Sequence, residues 1–168
     1  LLKSKTYQLW EDKEMAPGGA VVRLRKVSVL PDSGDPNEKL YVTTPIIIEF
    51  EYWNLVPDIF INITLALYNQ DGVFVFSAFP LNEEILDGER FSKGLYRSTC
   101  FIPGRFLNDG TYYARIQIIQ DRMNVVLQEE NIITFEVLDS SEMKIKGGYS
   151  GKFNCVLRPH FKWETEKI

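Results

Sequence analysis

The sequence is poor in the side chains on which most enzymatic sites depend. Its 168 residues include one histidine, His160, and two cysteines, Cys100 and Cys155. A hydrolase triad or a histidine base needs nucleophilic and acidic partners, whereas His160 stands in the tail beside Pro159, outside any such motif. The polar loop 31–37 misses the spacing of an EF-hand calcium loop. We therefore expect a non-catalytic protein that uses no metal and no cofactor.

Long apolar runs, a secretion signal and basic clusters are also lacking. The longest apolar stretch, residues 59–68, is interrupted by Asn62 and Thr64 and is far shorter than the roughly 20 residues that span a membrane. No charged and then apolar segment opens the chain, as a signal peptide requires. With 23 acidic and 19 basic residues the net charge is −4, and the basic residues are dispersed. We therefore expect no nucleic acid as partner.

The length fits one domain that can bury roughly 68–70% of its unfolded surface without metals or disulfides. Because the chain begins at Leu1 rather than at a methionine, we expect it to be part of a longer protein. Two cysteines are an ordinary number for a cytosolic domain of this size, so free thiols are expected. A bridge between Cys100 and Cys155 is the alternative for an exported protein.

Residues 108–112, Asn-Asp-Gly-Thr-Tyr, are typical of a tyrosine corner. In immunoglobulin-like sandwiches such a turn leads into a late strand, and the tyrosine ring enters the core while its hydroxyl bonds to the backbone. The alternating run 113–118 follows directly. The segment therefore predicts an immunoglobulin-like architecture in which Tyr112 is buried.

Alternation of apolar and polar residues predicts the other strands. The predicted strands are residues 21–30, 46–53, 59–69, 73–79, 95–102, 111–120, 131–138 and 153–157. A short strand at 40–43 and a helical turn at 83–86 are possible further elements. A change of parity near Arg25 and Lys26 indicates a β-bulge. Residues 73–79 are apolar on both faces and are expected to be covered on both. The fold class is predicted as all-β, an immunoglobulin-like antiparallel β-sandwich over residues 20–168, with residues 1–19 as an N-terminal linker.

The outer faces of the two sheets are the candidate binding surfaces. In immunoglobulin order the strands at 59, 73, 111 and 131 form one sheet, and those at 21, 46 and 95 form the other. Aromatic rings suit the C–H faces of sugars, and amides and arginine suit their hydroxyls. The proposed saccharide ligands on the first sheet are Phe60, Asn62, Thr64, Tyr113, Arg115 and Gln117. A rival patch on the second sheet comprises Glu49, Glu51, Trp53, Arg97 and Thr99. Ordinary strand-forming residues explain either set without a ligand.

Several segments, in their order and spacing, resemble one family across nearly the whole chain. They are Trp10, Ala16-Pro17-Gly18, Val22-Arg23-Leu24, Tyr68-Asn69-Gln70-Asp71-Gly72, the run 107–112, and a glycine spacer before a closing strand and Trp163. The family is the C-terminal domain of Wzt-type ATPases of polysaccharide ABC transporters.

This resemblance implies a cytoplasmic carbohydrate-binding module at the inner face of the inner membrane. It implies a nucleotide-binding domain elsewhere in the parent chain and a transmembrane transporter subunit as partners, and an O-antigen type polysaccharide as ligand. It further implies a homodimer that exchanges the last strand, which the spacer with Gly147, Gly148 and Gly151 would permit. Pocket residues vary with the glycan, so none is transferred from the family. An extracellular adhesion or receptor sandwich and a purely structural dimerisation domain are the alternatives.

Overall fold

The structure, a computed structural model, describes residues 4–80, 90–139, 155–159 and 165. Within these ranges the regular secondary structure is β-strand, and no segment there forms a helix that could cross a membrane. The strands are β1 (Tyr7–Leu9), β2 (Val22–Pro31), β3 (Ile46–Asn54), β4 (Ile61–Asn69), β5 (Phe74–Ala78), β6 (Gly94–Ile102), β7 (Gly110–Gln120) and β8 (Asn124–Val137).

The strands form two antiparallel sheets of four, ordered β1-β2-β3-β6 and β5-β4-β7-β8. Alternate residues of both sheets meet in one core, to which β4 contributes Ile61, Ile63, Leu65 and Leu67. The all-β sandwich and the division of the predicted strands between its sheets are confirmed. The remaining residues of each strand form the two outer faces.

The N-terminal segment contains a strand that the sequence did not predict. Tyr7–Leu9 pairs with β2, and Lys5 just before it exchanges backbone hydrogen bonds of 2.7 and 3.0 Å with Thr134 of β8. Residues 5–9 therefore connect β2 of one sheet with β8, the edge strand of the other sheet. A strand of three residues has too few alternations to be seen in a sequence.

Two other strand expectations need correction. In the region 40–43, where the sequence allows a short strand, Tyr41 makes a single bridge with Leu138 and no strand forms. Residues 73–79 were expected to be covered on both faces, but β5 is an edge strand and Phe74 is 54% exposed. Val75 and Phe76 of this strand pack against the core, whereas Phe74 contacts Tyr68 on the outer face.

The tyrosine corner is confirmed. Tyr112 is 2% exposed, and its hydroxyl donates to the Asn108 carbonyl at 2.9 Å, with the Val156 carbonyl at 3.1 Å as a second acceptor. Burial, with a contribution from the charge of Asp109, raises the pKa of Tyr112 to about 12. The Asn108 amide also donates to the carbonyl of Cys155 at 2.7 Å. The corner therefore anchors residues 155–159 to the loop before β7.

Parts of the C-terminal prediction lie outside the described residues: the glycine spacer, residues 153–154 of the closing strand, His160 and Trp163. The helical turn left open at 83–86 lies outside them too. Leu157, at the end of the predicted closing strand, forms a bridge with Leu107. Cys100 and Cys155 are free thiols, as the sequence predicts, and burial raises the pKa of Cys100.

Candidate functional site

The predicted saccharide ligands lie on the outer face of the sheet β5-β4-β7-β8, which we call the aromatic face. The register of β4 and β7 pairs Thr64 with Gln117 and places Arg115 opposite Ala66 and Tyr113 opposite Tyr68. Phe60 comes directly before β4. All of the predicted ligands are half-buried, as expected for side chains that stand on an open sheet.

These residues do not form one compact site. Tyr68, the register partner of Tyr113, lies eight positions after Phe60, which corresponds to about 26 Å along an extended strand. A single sugar ring cannot touch both ends. The aromatic face therefore has a tyrosine end around Tyr113 and a Phe60 end, with Thr64, Arg115 and Gln117 between them.

Aromatic rings cluster at the tyrosine end. The rings of Tyr68 and Tyr113 stack with their centroids 5.4 Å apart and their planes 10° apart, and Phe74 lies 5.5 Å from Tyr68 at 60°. The guanidinium carbon of Arg115 lies 5.6 Å from the Tyr68 centroid. Tyr68 and Phe74 were absent from the predicted ligand set. Alternation along β4 indicates that Tyr68 faces outward with Asn62 and Thr64. The exposure of Phe74 could be predicted only if β5 were known to be an edge strand.

Polar side chains of β8 extend the middle of the face. Gln117 donates to Gln128 at 2.6 Å, Gln128 donates to Glu130 at 3.1 Å, and Glu130 lies 3.8 Å from Arg115 Nη1. Nε of Arg115 and Oδ1 of Asn62 are shielded from solvent, and neither has a hydrogen-bond partner among the described residues. A shielded polar atom without a partner is costly, so the face contains a donor and an acceptor that a ligand can satisfy.

The outer face of the other sheet, β1-β2-β3-β6, contains the rival patch and has the opposite character. Glu51 is 4% exposed and receives hydrogen bonds from Arg25 and, at 2.7 Å, from Arg97. Lys26 pairs with Glu49 at 2.6 Å. The predicted bulge is confirmed between Leu24 and Lys26, and both cations of the bulge reach the carboxylates. We call this surface the ion-paired face.

Glu51 is ionised despite its burial. Loss of solvent alone would raise the pKa of Glu51, but hydrogen bonds from Arg97 and Arg25 and the charge of Lys26 outweigh it, so the pKa lies below its usual value. The hydrogen bond between Arg97 and Glu51 also raises the pKa of Arg97. Across 4–80, 90–139, 155–159 and 165, no group of three histidine, cysteine or acidic residues is arranged to hold a metal.

Comparison with known proteins finds a likeness in structure and none in sequence. No family model matches the sequence, and no curated protein matches it. The crystal structure of the C-terminal domain of Wzt is similar, with a TM-score of 0.66 and 11% identity over 89% of this chain and 86% of that one. The chain therefore has the fold of a Wzt C-terminal domain. At this identity the likeness concerns the fold alone.

Proposed function

We propose that this domain is a non-catalytic carbohydrate-binding module that recognises a bacterial surface polysaccharide of O-antigen type for export by an ABC transporter. The observation that supports it best is the aromatic face, where stacked rings adjoin a shielded donor on Arg115 and a shielded acceptor on Asn62 lies further along β4, toward the Phe60 end. A ligand that supplies both a hydroxyl donor and a hydroxyl acceptor beside apolar C–H groups satisfies them together.

Sugars fit this combination of groups. The C–H side of a pyranose packs against aromatic rings, as Tyr68, Tyr113 and Phe74 present them, and each hydroxyl both donates and accepts hydrogen bonds. Because the face extends about 26 Å between its two ends, it suits several consecutive sugars of a chain rather than one monosaccharide. We therefore favour a polymeric ligand over a free sugar.

The transporter context rests on the sequence resemblance together with the shared fold. The proposal is that the domain works in the cytoplasm at the inner face of the inner membrane, joined to a nucleotide-binding domain and together with a transmembrane subunit. In this context the domain selects the polysaccharide and the rest of the transporter moves it. No chemistry is required of the domain itself.

The test is a calorimetric titration of the purified domain with polysaccharide from its own source organism, with a heterologous polysaccharide as control. We expect saturable binding of the first and none of the second. Absence of binding to either would reject the carbohydrate-binding function and favour a structural dimerisation domain. Binding to a host-cell glycoprotein instead would favour the extracellular adhesion alternative.

The homodimer with an exchanged last strand has a separate test. Residues 155–159 pack against the loop before β7, where Asn108 donates to the carbonyl of Val156 at 3.1 Å through its backbone. If a second copy supplies this segment in solution, a chain ended at Lys146 should sediment as a monomer while the full chain sediments as a dimer. A truncated chain that sediments as the same dimer would exclude strand exchange.

A further inference from the structure

Two arginines, Arg90 and Arg122, lie beside Phe60 at its end of the aromatic face, a proximity that the sequence does not predict. The guanidinium carbons of Arg90 and Arg122 lie 5.0 and 5.5 Å from the centroid of the Phe60 ring. Beside this ring is a cleft of about 180 Å³, far larger than one water molecule needs. The cleft is lined by Phe60, Ile61, Asn62, Ile119 and Arg122.

Asp121 fixes Arg122 next to Phe60. Its carboxylate accepts from the Phe60 backbone N–H at 3.0 Å, and its own N–H donates to the Phe60 carbonyl at 3.0 Å. The hairpin between β7 and β8 is thereby held against the start of β4. Arg122 has a φ of 66°, in the left-handed region where glycine is favoured. An arginine at such a position is uncommon, and its side chain lines the cleft.

The acidic groups near Phe60 in the part of the chain that the structure describes leave the guanidinium of Arg122 available. Asp58 pairs with Arg90, its Oδ1 lying 3.6 Å from Nε, and the Asp58 carbonyl accepts from Nη1 of Arg90 at 2.6 Å. Both carboxylate oxygens of Asp121 already accept hydrogen bonds, from the Phe60 backbone and from the Gln120 amide at 3.1 Å. Among the residues that the structure describes, Arg122 has no ion pair. Contact with an aromatic ring orients a guanidinium while its N–H groups stay free to bind an anion.

From this arrangement we infer that the Phe60 end is a subsite for an acidic sugar, one that carries a carboxylate or a phosphate group. Arg122 pairs with the anion in a forked geometry, Phe60 and Ile119 pack against the C–H side of the ring, and the shielded Asn62 oxygen accepts a hydroxyl. The inference rests on the proposed function and adds to it the chemical class of one sugar of the polysaccharide.

The first test is an NMR titration of the isotope-labelled domain with glucuronate, glucose 6-phosphate and glucose. We expect one or both acidic sugars, but not glucose, to shift the signals of Phe60, Asn62 and Arg122, with an effect that weakens as salt is added. The stronger of the two acidic sugars identifies carboxylate or phosphate as the preferred anion. Equal shifts by glucose, or equal shifts by inorganic phosphate alone, would overturn the assignment of an acidic-sugar subsite.

The second test uses a matched pair of variants, Arg122→Gly and Arg105→Gly. Arg105 also has a positive φ, 62°, and it lies in the loop at the other end of β7, so glycine suits the backbone at both positions. We expect Arg122→Gly to keep its denaturation midpoint and to lose at least about tenfold in affinity for the acidic sugar. Arg105→Gly should bind like the parent. Equal affinity of both variants would refute the role of Arg122.

The two proposals fail in different ways. If the domain binds its polysaccharide and Arg115→Ala weakens that binding while Arg122→Gly does not, the carbohydrate-binding function stands and the acidic subsite is wrong. If no polysaccharide binds to the parent domain, both are wrong.

Discussion

The two outer faces of this sandwich differ in the partners that their charged and polar groups find. On the ion-paired face Glu49 and Glu51 are both paired with cations of neighbouring strands. On the aromatic face the shielded polar atoms of Asn62 and Arg115 have no partner within the described part of the chain. The ion-paired face also has one shielded atom without a described partner, the neutral hydroxyl of Ser28, but its carboxylates are paired with cations and stabilise the fold. On the aromatic face the unsatisfied atoms belong to an arginine and an amide, which are suited to a ligand.

Strand register produces this difference. Glu51 lies between Lys26 of β2 and Arg97 of β6, so opposite charges are direct neighbours across three strands. On the aromatic face the register sets Arg115 opposite Ala66, and its nearest carboxylate, on Glu130, is 3.8 Å away. Arg115 therefore has one long, exposed ion pair and a contact with the Tyr68 ring, in place of the short pairs that surround Glu51. Four predictions use this contrast, from the largest expected effect to the smallest.

The largest effect is expected when the ion-paired face loses its central carboxylate. Glu51→Ala should lower the free energy of unfolding by about 2–3 kcal/mol, because hydrogen bonds to a buried charged group are lost and Arg25 and Arg97 are left to solvent. Urea denaturation of the parent and the variant measures this change in the free energy of unfolding. Glu49→Ala, which removes a more exposed partner of Lys26, is the control and should cost clearly less. Equal costs would contradict the central role of Glu51.

A pH series sharpens the same point. The folded-state pKa of Glu51 is lowered, so its contribution to stability is complete above the unfolded value near 4.5 and is lost as pH falls through the lower folded value. The stability difference between the parent and Glu51→Gln should therefore be constant near neutral pH and shrink below about pH 4.5. A difference that grows as pH falls would show that the carboxylate is not stabilised in the folded state.

On the aromatic face the expected effect is on affinity. Arg115→Ala and Tyr113→Ala should each weaken binding of the cognate polysaccharide about tenfold or more, since each removes a partner from a hydrogen-bonding surface. Stability should change little, because both side chains are half-exposed and the pairing of Arg115 with Glu130 is a surface contact. Calorimetry and urea denaturation on the same samples separate the two quantities. A loss of stability without loss of affinity would mean that this face is structural.

Local alternation is what made the fold predictable. Where apolar and polar residues alternate along a strand, as in β4, the apolar residues show which face is buried. This inference does not require knowledge of the neighbouring strand. The tyrosine corner and the bulge at Arg25 are likewise local and were found from adjacent residues. The strand Tyr7–Leu9 was missed because it is stabilised by pairing with β2 and not by a pattern of its own.

The functional surfaces depend on contacts between distant parts of the chain, and these were only partly predictable. Alternation correctly put Tyr113 and Arg115 outward, but the partners that distinguish the two faces come from register. Nothing in the sequence near Phe60 indicates that Arg90 and Arg122 lie beside its ring. From the sequence alone Glu51 is expected to be solvated, because its pairing with Arg25 and Arg97 depends on neighbouring strands.

The smallest expected effect belongs to Trp53, the aromatic residue of the rival patch. Its ring is half-buried on the ion-paired face, and Nζ of Lys13 lies 5.4 Å from the ring centroid, so a contact within the chain already occupies it. Trp53→Ala should therefore leave polysaccharide affinity unchanged, and calorimetry beside Tyr113→Ala tests this directly. If Trp53→Ala abolished binding while Tyr113→Ala and Arg115→Ala did not, the site would move to the ion-paired face. Carbohydrate binding would stand, but unsatisfied polar atoms would no longer serve as the guide to where it occurs.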